Sequence, residues 1–211
     1  MPRQYLACIV LRMDGIAWAG SAMVAARTRL QIASENLANV SSDGFRRMLA
    51  RGVLRANGVE VAREPAVSHG ALRRTGRDYD LAIVGNGAFR VRGAGGAVTT
   101  TRDGAFAREK DGTLRDDSGR VLLGTRGPLR VPDGAQIDVR GNVRANGREI
   151  DQLSLTAGSS VHAGFLESAN VDAIAEMIDV LAAERSFESA EKVVAAIDGT
   201  RQKSADSARI R

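Results

Sequence analysis

Residues 15–39 read GIAWAGSAMVAARTRLQIASENLAN, and this stretch decides the fold of the chain. A large apolar residue recurs every seven positions and a small one follows three positions later; the set is Ile16, Met23, Leu30 and Leu37, with Ala19, Ala26, Ala33 and Val40. This heptad spacing predicts an α-helix with a coiled-coil seam. Asp14 suits its N-cap and Asn39 suits its C-terminal end. At about 1.5 Å per residue the helix is about 37 Å long.

A second helical pattern occupies the C-terminal part of the chain. It begins near Val171, after the good N-cap residue Asn170, and runs to about Lys203, which makes it about 48 Å long. Its apolar stripe contains Ile174, Met177, Val180, Ala183, Phe187, Ala190, Val194 and Ile197. From Val180 onward this is again a heptad seam with alternating small residues. The stripe is longer than the first helix can cover, so we expect another subunit to cover the excess.

Between the two helices, from about Leu72 to Leu155, short apolar runs alternate with turn residues. The turn pairs are Asn86-Gly87, Gly95-Gly96, Asp103-Gly104, Asp111-Gly112, Ser118-Gly119, Asp133-Gly134 and Asn146-Gly147. Strands at this spacing predict hairpins in a small barrel or sandwich. Asn57-Gly58 predicts one further hairpin turn upstream. The fold class is therefore α+β, with long coiled-coil-forming helices at both ends of a small all-β domain.

The expected domain boundaries follow from these patterns. Met13 is a second possible start just before the first helix, so the residues before it are expected to be an extension. The expected segments are an extension at 1–13, a coiled-coil helix with its exit turn at 14–45, a β domain at 46–165, a second coiled-coil helix at 166–203 and a frayed polar tail at 204–211.

Composition argues against several classes of protein. The net charge is +5, but the cations stand singly among acids and glycines and only 4% of residues are aromatic, unlike a nucleic-acid-binding surface. No apolar run reaches the length of a membrane span. Arg12 directly follows the short apolar patch at 6–11, which does not match a signal peptide. The one cysteine, Cys8, allows no internal disulfide.

Candidate chemistry is sparse, and we predict no catalytic, cofactor-binding or metal-binding residue. His69 and His162 are the two histidines, and neither has a second ligand at metal-binding spacing. The glycines at 85–96 lack the continuation of a phosphate-binding loop, and the acids at 111–117 lack the EF-hand spacing.

A charged face on the last helix allows two interpretations. Its members are Glu184, Arg185, Glu188, Glu191 and Lys192. The face is either solvated or forms salt bridges between subunits, and the sequence favours neither alternative.

Three segments, in this order, resemble the signatures of bacterial flagellar rod and hook proteins. The first is ENLANVSSDGFRR at 35–47. The second is DLAIVGNGAF at 80–89, followed by TRDGAF at 101–106 and DGTL at 111–114. The third is GFLESANV at 164–171, followed by Glu176-Met177 and by AERSF at 183–187.

This resemblance implies a structural, non-enzymatic subunit of the flagellar basal-body rod, most similar to the proximal and distal rod proteins. Subunits of such a family polymerise through their terminal helices into an inner tube, with the β domains outside, and form the drive shaft that transmits torque for motility. The chain is shorter than expected for the family, and the usual additional β segment between Leu155 and Gly164 is missing.

The resemblance also implies the partners and the location of the chain. The partners are copies of itself, other rod and hook subunits, and the flagellar export apparatus, with no nucleic acid and no small-molecule substrate. The chain would cross the inner membrane without a cleaved signal peptide and reside in the basal body within the cell envelope. The expected assembly residues are Ile16, Met23, Leu30, Asn36, Leu37, Asn39, Phe45, Val180, Phe187, Val194 and Ile197.

Three alternatives stay open at this point. One is a hook or hook-associated axial protein, against which the small β region argues. Another is a ligand-binding or enzymatic β domain with helical oligomerisation arms. The third is a basic nucleic-acid-binding protein.

Overall fold

The computed structural model describes residues 15–55, 58–156 and 159–209 of the chain. The predictions for the extension, for the Asp14 N-cap and for Asn57 in a hairpin turn fall outside the described residues. Contacts divide the chain into two units. The helical unit comprises Met1–Ala38, Met48–Ala66 and Asp172–Arg211, and the β unit comprises Asn39–Arg47 and Val67–Val171. No helix among the described residues is long and apolar enough to cross a membrane.

The two predicted helices are present, as α1 at Gly15–Ala38 and α2 at Ala173–Arg209. The N-cap of α2 is Asp172 rather than Asn170, because Asp172 Oδ1 accepts hydrogen bonds from the backbone N–H groups of Ile174 (2.9 Å) and Ala175 (3.3 Å). Where the sequence predicted a frayed tail from residue 204, α2 continues to its end at Arg209. That segment contains neither Gly nor Pro, so nothing in it breaks a helix.

A long hairpin belongs to the helical unit, although the sequence placed it in the β domain of 46–165. Its strands are β1 at Met48–Arg55 and β2 at Gly58–Pro65, paired antiparallel so that Arg55 faces Gly58. The hairpin packs on α1, where Ser21 Oγ accepts a hydrogen bond from the Val59 N–H at 3.1 Å. Gly58 has a φ of 140°, and a Cβ there would collide with the Ser21 side chain. This position therefore requires glycine.

Over its described residues, the β unit contains thirteen short strands in open sheets. The largest sheet has the order β6-β5-β9-β8-β7 with β10 paired to β9, a second has the order β11-β12-β13, and two further pairs are β14-β4 and β15-β3. The α+β class is confirmed, whereas the described part of this unit forms no closed barrel. The strands are β3 Leu72–Arg74, β4 Leu81–Gly85, β5 Phe89–Arg92, β6 Val98–Thr101, β7 Ala107–Arg108, β8 Leu114–Arg115, β9 Val121–Gly124, β10 Gly127–Pro128, β11 Gln136–Ile137, β12 Asn142–Ala145, β13 Arg148–Gln152, β14 Ser159–Ala163 and β15 Phe165–Glu167.

One hydrophobic core fills the β unit. Leu81, Phe89, Val91, Leu114 and Leu122 are completely buried in it. The rings of Phe89 and Phe106 meet edge to face with their centroids 5.4 Å apart. Strand β14 lies where the sequence indicated a missing β segment, and it pairs antiparallel with β4.

Candidate assembly interface

The two heptad seams meet within one subunit. α1 and α2 are antiparallel, because Gly15 lies beside Ile197 at one end and Asn36 beside Glu176 at the other. The small seam residues are buried, namely Ala19, Ala26, Ala33, Ala183 and Ala190. The large seam residues predicted for assembly are half-buried on the same inner faces; they are Ile16, Met23, Leu30, Leu37, Val180, Phe187, Val194 and Ile197.

Asn36, also predicted for assembly, connects three elements of the helical unit. Its Nδ2 donates hydrogen bonds to Met48 O (2.8 Å) and to Glu176 Oε2 (3.1 Å), and its Oδ1 accepts one from the Met48 N–H (2.8 Å). The Asn36 and Glu176 side chains are both about 1% exposed. Asn36 thus satisfies the backbone at the start of β1 and links α1 to α2 through Glu176.

Asn39 and Phe45 lie in the segment of the β unit that follows α1. The N–H of Ser42 donates to Asn39 O at 3.0 Å, and the N–H of Phe45 donates to Ser42 O at 3.3 Å, which forms a compact turn. Asn170 Oδ1 accepts a hydrogen bond from the Arg47 N–H (2.6 Å), and Asn170 Nδ2 donates to Ser68 O (2.7 Å). Asn170 therefore binds this segment instead of capping α2.

A buried ion pair that the sequence interpretation did not identify holds the β unit together at this segment. The Arg102 Nε and Nη2 atoms lie 2.8 and 2.7 Å from Glu167 Oε2, and further Arg102 N–H groups donate to the carbonyls of Ile83 (2.8 Å) and Gly85 (2.9 Å). The Gly44 N–H donates to Glu167 O at 2.6 Å. Arg102 belongs to the TRDGAF motif and Glu167 to the GFLESANV motif, so the ion pair joins two signatures.

Gly44 is the glycine of the first signature, and its role is geometric. Its φ is 70°, and a Cβ at this position would collide with the Arg102 backbone. Glycine at position 44 therefore lets the segment after α1 approach the Arg102 backbone more closely than any other residue type would allow.

A second apolar face of the helical unit is exposed. On α2, the side chains of Ile174, Met177, Ile178 and Leu181 are 72%, 53%, 60% and 54% exposed, respectively. Their spacing places them on one side of α2, away from the inner seam. We call this set the α2 outer stripe. The sequence interpretation included its first two members, but it assigned them to the same stripe as the inner seam.

α1 has an exposed face of different character. Val24 is 66% exposed, and Ala17 and Gly20 lie on the same side of α1. A Cβ built on Gly20 meets no atom within 4 Å, so space is open above this face. We call Ala17, Gly20 and Val24 the α1 outer face.

Asp103 and Asp138 of the β unit have pKa values that are shifted in opposite directions. Burial raises the pKa of Asp103, and the carboxylates of Asp116 and Asp43 add to this effect. At Asp138 burial opposes ionisation, yet hydrogen bonds from the backbone and side chain of Asn142 and from the backbone of Arg140 lower the pKa. Within 15–55, 58–156 and 159–209, no three His, Cys, Asp or Glu side chains are grouped so that they could hold a metal ion.

Three protein-family models match the chain in sequential order. "Flagella basal body rod protein" matches residues 16–46, "Flagellar hook protein FlgE/F/G D1 domain" matches 82–148, and "Flagellar basal body rod FlgEFG protein C-terminal" matches 162–207. The chain belongs to the flagellar basal-body rod protein family. Because this family is structural, the prediction of a structural, non-enzymatic protein is confirmed.

Rod proteins are also among its relatives over nearly full length. The chain is 28% identical to the flagellar basal-body rod protein FlgF of Escherichia coli (strain K12), an alignment that covers 79% of this chain and 87% of the relative. It is 27% identical to FlgG of Agrobacterium fabrum, with 88% and 96% covered. The flagellar hook protein FlgE of Brucella abortus is 32% identical, but the alignment covers 65% of this chain and 37% of FlgE.

Proposed function

We propose that this chain is an axial subunit of the flagellar rod that polymerises head to tail through its helical unit and transmits torque. Its membership in the rod family supports the structural role. The observation that carries the mechanism is the α2 outer stripe, which is exposed in a subunit whose inner seams already cover each other. Copies of the chain therefore associate through the outer faces of the helices, and the inner seam residues predicted for assembly stiffen each subunit.

The α1 outer face of the next copy is the proposed partner of the α2 outer stripe. The stripe consists of large side chains and the α1 outer face of small ones, so the two surfaces complement each other in size. Copies in a head-to-tail filament share one orientation. α1 and α2 are antiparallel within a copy, so they also meet antiparallel between copies. This arrangement places Val24 near Ile174 and Ala17 near Leu181. The two contacts form together because Ala17 and Val24 are seven positions apart on α1, as are Ile174 and Leu181 on α2.

Burial of apolar surface is the driving force for this contact, and it acts against the cost of association. Burying one large apolar side chain contributes about 1.5–3 kcal/mol. Association costs at least about 4 kcal/mol in lost translational and rotational freedom. Each copy in a filament makes the contact on both sides, which stabilises the polymer.

The neighbours and the route of assembly are part of this proposal. Other rod and hook subunits continue the same axis, and the flagellar export apparatus delivers the chain without a cleaved signal peptide. The similarity to FlgF and FlgG supports a position within the rod. A hook subunit is the second candidate, and the limited coverage of FlgE argues against it.

The test is a pair of substitutions in the α2 outer stripe. Ile178→Glu with Leu181→Glu places two charges on the contact, so we expect loss of swimming when this variant replaces the chain in cells. Val139→Glu is the matched control, because Val139 is 59% exposed in the β unit. Circular dichroism of both purified variants verifies folding. Normal swimming of the folded double variant would contradict the proposed interface.

A further inference from the structure

The outer face of the six-stranded sheet carries three arginine side chains, interspersed with small and β-branched residues. The register of this sheet places one residue from each of five adjacent strands side by side; in strand order they are Val98, Arg92, Val121, Arg115 and Ala107. Paired residues of adjacent strands share one face, and the opposite face is the buried one with Val91, Leu122 and Leu114. Arg90 lies on the same outer face, two residues from Arg92. We call Arg90, Arg92 and Arg115 the basic sheet face.

These arginines lack anionic partners among the described residues. No carboxylate there lies within ion-pair distance of Arg90 or Arg92, and Arg115 Nη1 donates to a carbonyl, Gly119 O, at 3.0 Å. Arg115 contributes weakly to the lowered pKa of Asp111, which two hydrogen bonds from Thr113 chiefly cause. Like charges on neighbouring positions of a sheet face repel each other. The basic sheet face is therefore suited to bind an acidic surface.

α2 carries an acidic surface of matching size. Glu184, Glu188 and Glu191 are exposed at spacings of four and three residues, so they line one side of the helix beyond the α2 outer stripe. We call these three residues the acidic strip. Arg185 and Lys192 lie along one margin of the strip, and within the described residues neither forms an ion pair with it. Carboxylates at such spacings repel each other on an isolated helix.

We infer that the basic sheet face of one copy docks on the acidic strip of a neighbouring copy. The inference rests on the proposed function, because the docking joins neighbouring copies of an assembled rod subunit. The Cα atoms of Arg90 and Arg92 are about 7 Å apart along their strand. Glu184 and Glu188 are about 6 Å apart along α2, so two charge pairs fit at once. Each surface relieves the repulsion within the other, and the contact weakens with salt.

A reciprocal charge exchange tests this docking. Arg90→Glu with Arg92→Glu reverses one surface, and Glu184→Arg with Glu188→Arg reverses the other. Each reversal should raise the critical concentration for polymerisation about tenfold and abolish swimming, because like charges then face each other. The combination of all four changes should restore swimming and return the critical concentration to within about threefold of the parent chain's value. Arg144→Glu with Arg148→Glu is the matched control, because these exposed arginines lie in the three-stranded sheet.

The outcomes separate this inference from the proposed function. If neither reversal has an effect while polymers form, the docking is wrong and the rod function stands. If the combined variant is as defective as the Arg90 and Arg92 reversal alone, the basic sheet face binds another partner and the inference is overturned. If the parent chain neither polymerises nor restores swimming to cells that lack it, the proposed function and the inference both fail.

Discussion

At the scale of single residues, the signature motifs have structural roles that their sequence does not reveal. Asn36 belongs to the Asn-Leu-Ala-Asn signature, and the sequence interpretation assigned it to assembly. In the structure its amide mimics a strand backbone by pairing with both polar backbone groups of Met48. Sequence patterns identify such a residue as important, but its partners lie 12 and 140 positions away and no local pattern specifies them.

Replacing Asn36 should therefore weaken the helical unit. Asn36→Ala leaves two polar groups of Met48 and the Glu176 carboxylate without this partner in a buried site, so we expect a loss of about 2–4 kcal/mol in the free energy of unfolding. Urea denaturation measures it. Ser34→Ala, an exposed change in the same helix, should stay within about 0.5 kcal/mol of the parent. Equal effects of the two changes would contradict this role.

For the β unit, we predict that the Arg102–Glu167 ion pair contributes to stability in a comparable way. Arg102→Met leaves the buried Glu167 carboxylate without its arginine partner, which we expect to cost about 3–5 kcal/mol. The readout is the midpoint of thermal unfolding. Arg126→Met, at an exposed turn, is the control. A stable Arg102→Met variant would show that the buried pair is dispensable.

At the scale of elements, heptad analysis identified both helices and their inner seams correctly but assigned one apolar stripe to α2 instead of two. Ile174 and Met177 are separated by three residues from each other and from Val180, so a linear spacing rule joins them to the seam. In three dimensions they belong with Ile178 and Leu181 on the exposed side. The N-cap of α2 is similarly ambiguous in sequence, because Asn170 and Asp172 are both good capping residues. In the structure, tertiary hydrogen bonds occupy the Asn170 side chain, and Asp172 caps the helix.

In the turn between β11 and β12, Asp138 makes a contribution to folding stability that depends on pH. Asp138 Oδ1 accepts hydrogen bonds from the backbones of Arg140 and Asn142, both at 2.9 Å, and the pKa of Asp138 lies below its ordinary 3.8. The unfolded chain then binds the proton more readily than the folded one, so this contribution is present above pH 3.8 and lost as the pH falls through the lowered value. Asp138→Asn should flatten the acid limb of the stability curve. An unchanged acid limb in urea titrations would contradict this.

At the scale of the whole molecule, the sequence predicted the order of parts and the family, but not the division into units. The β1–β2 hairpin lies in sequence between two segments of the β unit and yet packs on α1, because its contacts with Ser21 and Asn36 are nonlocal. Strand β14 pairs with β4 across more than seventy residues, and its short segment has no strong β pattern of its own. Such long-range pairings depend on the complete fold and cannot be deduced from local periodicity.

The central claim is that copies of the chain join through the α2 outer stripe and the α1 outer face. The most direct measurement is disulfide crosslinking of assembled basal bodies that contain Val24→Cys and Ile174→Cys, with Cys8→Ser removing the native thiol. We predict a ladder of covalent oligomers after oxidation, because disulfides form when Cβ atoms approach within about 4.5 Å. Val139→Cys with Ile174→Cys should give no ladder. Swimming cells whose Val24 and Ile174 cysteines give no oligomers, or no more than this control, would contradict the claim.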